Sequence, residues 1–154
     1  MLTTPTQSLA GACYLEHQIL DHVKGALRVT VDWRASEVSP EMRRGSMRFA
    51  LGSFCRHLER LMRIEEEGGY LSVVSEVKPH LQDRINRLAF DHETFRVRIQ
   101  KLRDRIDTFD EWDSGDFEQT CDVIRDLLDD VDQHDHAEVV LLQEALVLDE
   151  GGEG

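Results

Sequence analysis

Residues 81–106 read "LQDRINRLAFDHETFRVRIQKLRDRI". Leu81, Ile85, Leu88, His92, Phe95, Ile99, Leu102 and Ile106 recur at alternating steps of four and three, the spacing of one buried helix face. Nothing in the stretch alternates with period two, and no proline interrupts it. It predicts a long amphipathic helix, opened by Pro79 and running to about Ile106. One member of that otherwise apolar row is a histidine.

The same pattern recurs outward along the chain. Upstream, Met47, Leu51, Phe54, Leu58, Leu61 and Glu65 form a row in a helix predicted from Pro40 to Glu67. Ser39 caps it, Pro40 takes the first helical position, and Gly68-Gly69 stops it. A helix from Pro5 to about Thr30, with Thr4 as cap, carries Cys13, His17, Leu20 and Leu27, and Lys24 breaks its row. Downstream, Ile124, Leu127, Val131, His134, Glu138, Leu141 and Ala145 line a helix from Ser114, read as its cap, to about Leu148. "VDWRASEVS" and "DTFDEWDSGD" are linkers, and "YLSVVSEV" is one or two helical turns. Four such helices with short connections make an all-α, antiparallel up-and-down four-helix bundle. Residues 1–150 are expected to form one domain, and the tail 151–154 to be disordered.

Composition narrows the function. The chain has 154 residues, 32% of them charged, and a net charge of −13. That charge argues against nucleic acid and against anionic membrane. No apolar run approaches the roughly 18 residues of a transmembrane helix, and the N-terminus has no basic and apolar signal pattern. The cysteines Cys13, Cys55 and Cys121 form no CxxC pair, so reduced thiols in a cytoplasm are expected. No phosphate-binding Gly-rich loop and no Ser/His/Asp arrangement is recognisable.

The polar members of the seams carry the chemistry. His17, Glu65, His92, His134 and Glu138 occupy seam positions on four helices. A buried unpaired carboxylate costs several kcal/mol, and two near each other raise each other's pKa. A cation bound by imidazoles and carboxylates together would offset that cost. His134 and Glu138, one turn apart, present both groups on one side of their helix. His57, two turns before Glu65, is a further candidate to touch such a site. Cys13, one turn before His17, reads as a small buried apolar residue. His22, His80 and His136 point away from the seams.

These residues resemble the hemerythrin-like, or HHE cation-binding, family over almost the whole chain. The carriers are "LEHQIL" around His17, "EEEGGYL" at 65–71, "LAFDHETF" around His92, and "HDHAEVVLLQEA" at 134–145. The resemblance implies a non-haem diiron centre bridged by Glu65 and Glu138, with His17, His92 and His134 as further ligands. It also implies binding or sensing of oxygen or nitric oxide, or handling of iron. Zinc or manganese would suit the same ligands. The family's helix 2 histidine falls at Leu61, and Leu88 stands where oxygen carriers have a second histidine on helix 3. Three readings stay open. His57 moves in, a mononuclear site remains, or a metal-free bundle serves as an interaction module. Neither a protein partner nor an oligomeric state follows from the sequence, and an enzymatic role is not indicated.

Overall fold

The computed structural model describes residues 5–33, 38–67, 74, 78–111 and 113–150, with backbone alone for 5–12, 109 and 146–150. Four helices account for nearly all of them: α1 (Pro5–Asp32), α2 (Pro40–Glu67), α3 (Gln82–Asp107) and α4 (Ser114–Glu150). Short 3-10 turns at Pro79–Leu81 and Phe109–Glu111 flank α3. No described residue lies in a strand.

Local chemistry sets the ends. Met42 N–H donates to Ser39 Oγ at 3.1 Å, the expected cap of α2. The cap of α4 is a correction: Ser114 is already helical, and Asp113 is the capping residue. Asp116 N–H donates to Asp113 Oδ1 at 2.8 Å, and Asp113 N–H to Asp116 Oδ2 at 3.2 Å. This is a reciprocal capping box built on aspartates, and a carboxylate there also meets the positive end of the helix dipole. The helix expected to open at Pro79 begins instead with the 3-10 turn, and α-geometry starts at Gln82. Thr4, Gly68-Gly69 and the tail 151–154 lie outside the described residues. Of "YLSVVSEV" only Val74 is described, helical and buried.

The helices close a ring: α1 packs on α2, α2 on α3, α3 on α4, and α4 on α1. Cross-helix ion pairs fix the antiparallel sense. Lys24, Arg28 and Asp32 of α1 meet Asp132, Asp129 and Arg125 of α4, one sequence rising as the other falls. Every apolar member of the α2, α3 and α4 rows is buried, as are Leu20, Leu27 and Val31 of α1. Each such side chain contributes roughly 1.5–3 kcal/mol relative to exposure. Lys24 explains its break in the α1 row. Its stem is buried, and its ammonium reaches Asp132 and Asp135, both at 2.8 Å, and Asp21 at 3.1 Å.

The core is interrupted once. A large apolar cluster around Leu20, Phe54, Ile99 and Leu127 fills one part of the bundle. A smaller one around Leu81, Ile85, Leu88, Leu141 and Ala145 fills another. Among the core rows, the polar residues His92, His134, Glu65 and Glu138 belong to neither cluster and are nonetheless buried. None of the described helices is long and apolar enough to cross a membrane.

Candidate metal centre

Each helix delivers its seam polar residue to this one layer. α1 brings His17, α2 Glu65, α3 His92, and α4 both His134 and Glu138. The i, i+4 spacing on α4 sets His134 Nε2 2.7 Å from Glu138 Oε1. His92 Nε2 lies 3.1 Å from Glu65 Oε2 and 3.2 Å from His134 Nε2. Glu65, His92, His134 and Glu138, all buried, each offer one ligand atom within 4.8 Å of one another.

His17 stands on the other side of the same two carboxylates. Its Nε2 is 3.1 Å from Glu65 Oε1 and 3.7 Å from Glu138 Oε2. Glu65 therefore turns one oxygen to His92 and the other to His17. Glu138 does the same between His134 and His17. Two half-sites share two carboxylates. The half at His92 and His134 is sealed, with those side chains 0% and 4% exposed, whereas His17 is 31% exposed.

The hydrogen bonds behind the rings fix their orientation. His92 Nδ1 donates to Glu66 Oε1 at 2.9 Å, and His134 Nδ1 donates to Asp91 Oδ2 at 2.9 Å. A carboxylate only accepts, so each Nδ1 carries a proton and each Nε2 faces inward. Arg96 Nη2 in turn donates to Glu66 Oε2 at 2.6 Å. One proton between the two Nε2 atoms satisfies that pair alone. It leaves Glu65 Oε1 and Glu138 Oε1, both buried, without a hydrogen bond.

Electrostatics shows the same crowding. Burial pushes the Glu65 carboxyl above its ordinary range. Burial acts the same way on Glu138, but the neighbouring His134 and His92 imidazoles outweigh it and hold that carboxyl low. Contact with the Cys13 sulfur, then with Glu65, pushes His17 up to about 10. Burial alone would lower His92, yet Glu138 and Glu65 push it up to about 10. His134 is raised too, Glu138 prevailing over burial. Without a cation, protons on imidazoles balance the two carboxylates; a cation can take their place.

His57 lies elsewhere. Its Nδ1 is 3.4 Å from Glu16 Oε2, and it is not among the residues whose ligand atoms gather. Arg60 Nε shares Glu16, at 2.8 Å to Oε1. His22, His80 and His136 are exposed. Four residues were not visible as site residues in the sequence. Glu66 and Asp91 hold the rings of His92 and His134. Cys13 joins His17 and Glu65, and Asp135 joins His17 and Glu138, as triads with ligand atoms within 4.8 Å. Their only sequence signal is adjacency to a seam histidine or glutamate, or one turn of spacing from it. Acids beside such positions are common in a chain this acidic.

The donor set fits a metal ion. Spacings of 2.7–3.2 Å between inward-facing atoms are those of neighbouring ligands around an ion bonded at about 2.1 Å. Both orphaned carboxylate oxygens lie where such an ion would engage them. A family model described as the hemerythrin HHE cation binding domain matches residues 12–145. No curated protein and no solved structure matches the chain.

Proposed function

The chain belongs to the hemerythrin HHE cation-binding family, and from that premise we propose that it holds a non-haem iron centre, dinuclear when filled, that binds or senses a small diatomic ligand. One observation carries the reading. Glu65 and Glu138 each turn one oxygen to His17 and the other towards the His92 and His134 pair. Two carboxylates facing two ways suit two ions, and bundle cores build dinuclear carboxylate sites of this kind. His92, His134, Glu65 and Glu138 would hold one ion, and His17 with the same carboxylates the other. Imidazole and carboxylate also suit zinc and manganese, so the assignment of iron rests on the family.

When bound, ferrous iron with an open position supplies affinity for oxygen or nitric oxide. The chain's own residues do the rest. Glu66 and Asp91 hold the rings in one tautomer. The apolar clusters on either side exclude water from the sealed half. His17, the more exposed ligand, marks the side on which a small molecule has access. Three cysteines outside any disulfide, two of them buried, suit a reducing, cytoplasmic compartment.

The test is metal content by mass spectrometry on untagged protein reconstituted with ferrous iron, with an absorption spectrum before and after exposure to nitric oxide. Two irons per chain and a spectral change support the reading. One iron restricts it to the sealed half. No iron would sink it and favour the second reading, a metal-free interaction module, for which Leu61 at the family's histidine position speaks.

A further inference from the structure

Leu61 stands at the family's helix 2 histidine position, so α2 brings no imidazole to the layer. Leu61, one turn before Glu65 on α2, is buried in the large apolar cluster and offers no donor. Other groups surround His17 instead. Cys13 sits one turn earlier on α1, partly buried against that same cluster. Its sulfur, a His17 nitrogen and a Glu65 oxygen lie within 4.8 Å of one another. A cysteine near a histidine would mean little alone. The independent sign is Glu65 Oε1. Glu65 is 1% exposed, this oxygen makes no hydrogen bond, and it is the one turned towards His17 at 3.1 Å. A metal ion could engage that oxygen together with the imidazole and the thiol gathered beside it.

Asp135 is a second neighbour, grouped with His17 and Glu138. Its Oδ2 is engaged by Lys24 Nζ at 2.8 Å, so its charge is already partly met. Cys13 meets the His17 ring, which belongs to the same half-site.

Resting on the iron-centre reading above, we propose that Cys13 is a thiolate ligand of the second ion, in place of the imidazole that Leu61 cannot provide. The half-site is then Cys13, His17 and one oxygen each from Glu65 and Glu138. On binding, the sulfur–hydrogen bond breaks, the proton leaves to solvent and a sulfur–metal bond forms, with no change of oxidation state. A thiolate with an imidazole selects iron, zinc or cobalt(II) over hard cations such as magnesium and calcium. The two half-sites therefore differ in softness, and the ion at His17 is the one in reach of solvent.

The experiment uses cobalt(II) as probe on the full chain, under anaerobic conditions. It reads stoichiometry, near-ultraviolet sulfur-to-cobalt charge transfer, and maleimide labelling of Cys13 mapped by mass spectrometry. Cys55 and Cys121, 1% and 0% exposed, are internal references. The expected result is two cobalt ions per chain, a charge-transfer band that grows with the second equivalent, and loss of Cys13 labelling. Cys13→Ala should hold one ion without the band. Cys13→Ala combined with Leu61→His should regain the second ion, still without the band. Two ions with no band and undiminished labelling overturn the thiolate ligand while sparing the iron-centre reading. One ion with Cys13 still labelled does the same. No cobalt bound overturns both. Should Cys13→Ala fail to fold, labelling and absorption of the unaltered chain decide.

Discussion

His92 and His134 owe their orientation to two acids outside the ligand layer. Glu66 and Asp91 accept from Nδ1, which leaves Nε2 free for an ion. Glu66→Gln and Asp91→Asn keep the volume and weaken that acceptance. Each should lower metal affinity by roughly 10–100-fold, with little change in the helical spectrum, in a competition titration against a chelator. His134→Ala and Glu138→Ala act on the ligands themselves. If the centre holds metal, each should lose metal and stability together. Unchanged or higher stability without metal would identify the polar layer as an uncompensated burden. The imidazoles also fix a pH dependence. His17 and His92 rise from 6.5 to about 10 on folding, so the ion-free folded chain binds more protons than the unfolded one between those values. Their contribution is full below pH 6.5 and fades as pH climbs towards about 10. Urea midpoints in chelator should fall across that window. Metal binding should strengthen across it, with proton release measurable in weakly buffered solution.

At the scale of the helix, ends and edges set the register that aligns the five polar residues of the layer. The α4 cap is the clearest case. Asp113→Ala removes the acceptor for Asp116 N–H and should cost about 1 kcal/mol in urea unfolding. Ser114→Ala should cost less, since Ser114 lies inside the helix. Between α1 and α4, Lys24 pins Asp132 and Asp135 just beside His17 and Glu138. Lys24→Met keeps the apolar stem but removes the cation from Asp135, while Arg28 still meets Asp132. It should cost about 3 kcal/mol, near the low end for breaking a buried pair, and should disturb the His17 half before the sealed half. Metal titration that resolves two binding steps would show this as a loss confined to the second.

For the whole molecule, the apolar clusters on both sides make the polar layer a shared responsibility of all four helices. Removing any helix from the ring strands charges from the other three. A cation that binds only the folded chain adds stability by mass action, about 2.7 kcal/mol at a hundredfold excess over Kd. For a domain of this size that corresponds to a rise in Tm of roughly 5–10 °C. Thermal melts with and without ferrous iron or zinc should show it. The shift should vanish with chelator and in Glu138→Ala.

The sequence by itself determined the bundle, because a seam repeating at steps of three and four can be buried only by a helix, and four such seams only by one another. The polar residues of the central layer were legible as well. His17, Glu65, His92, His134 and Glu138 were legible because a polar residue in an apolar row is an exception that the row itself exposes. It could not place the α4 cap on Asp113 rather than Ser114, since both are good capping residues and backbone geometry chooses between them. Nor could it find Glu66 and Asp91, or bring Asp135 to His17 and Cys13 to Glu65. Glu66, Asp91 and Asp135 lie beside the seams, and their meaning depends on which neighbouring helix they face and at what rotation. Periodicity records the face a residue shares along its own helix. Only the packing of four helices decides which atoms from different faces come within reach of one ion.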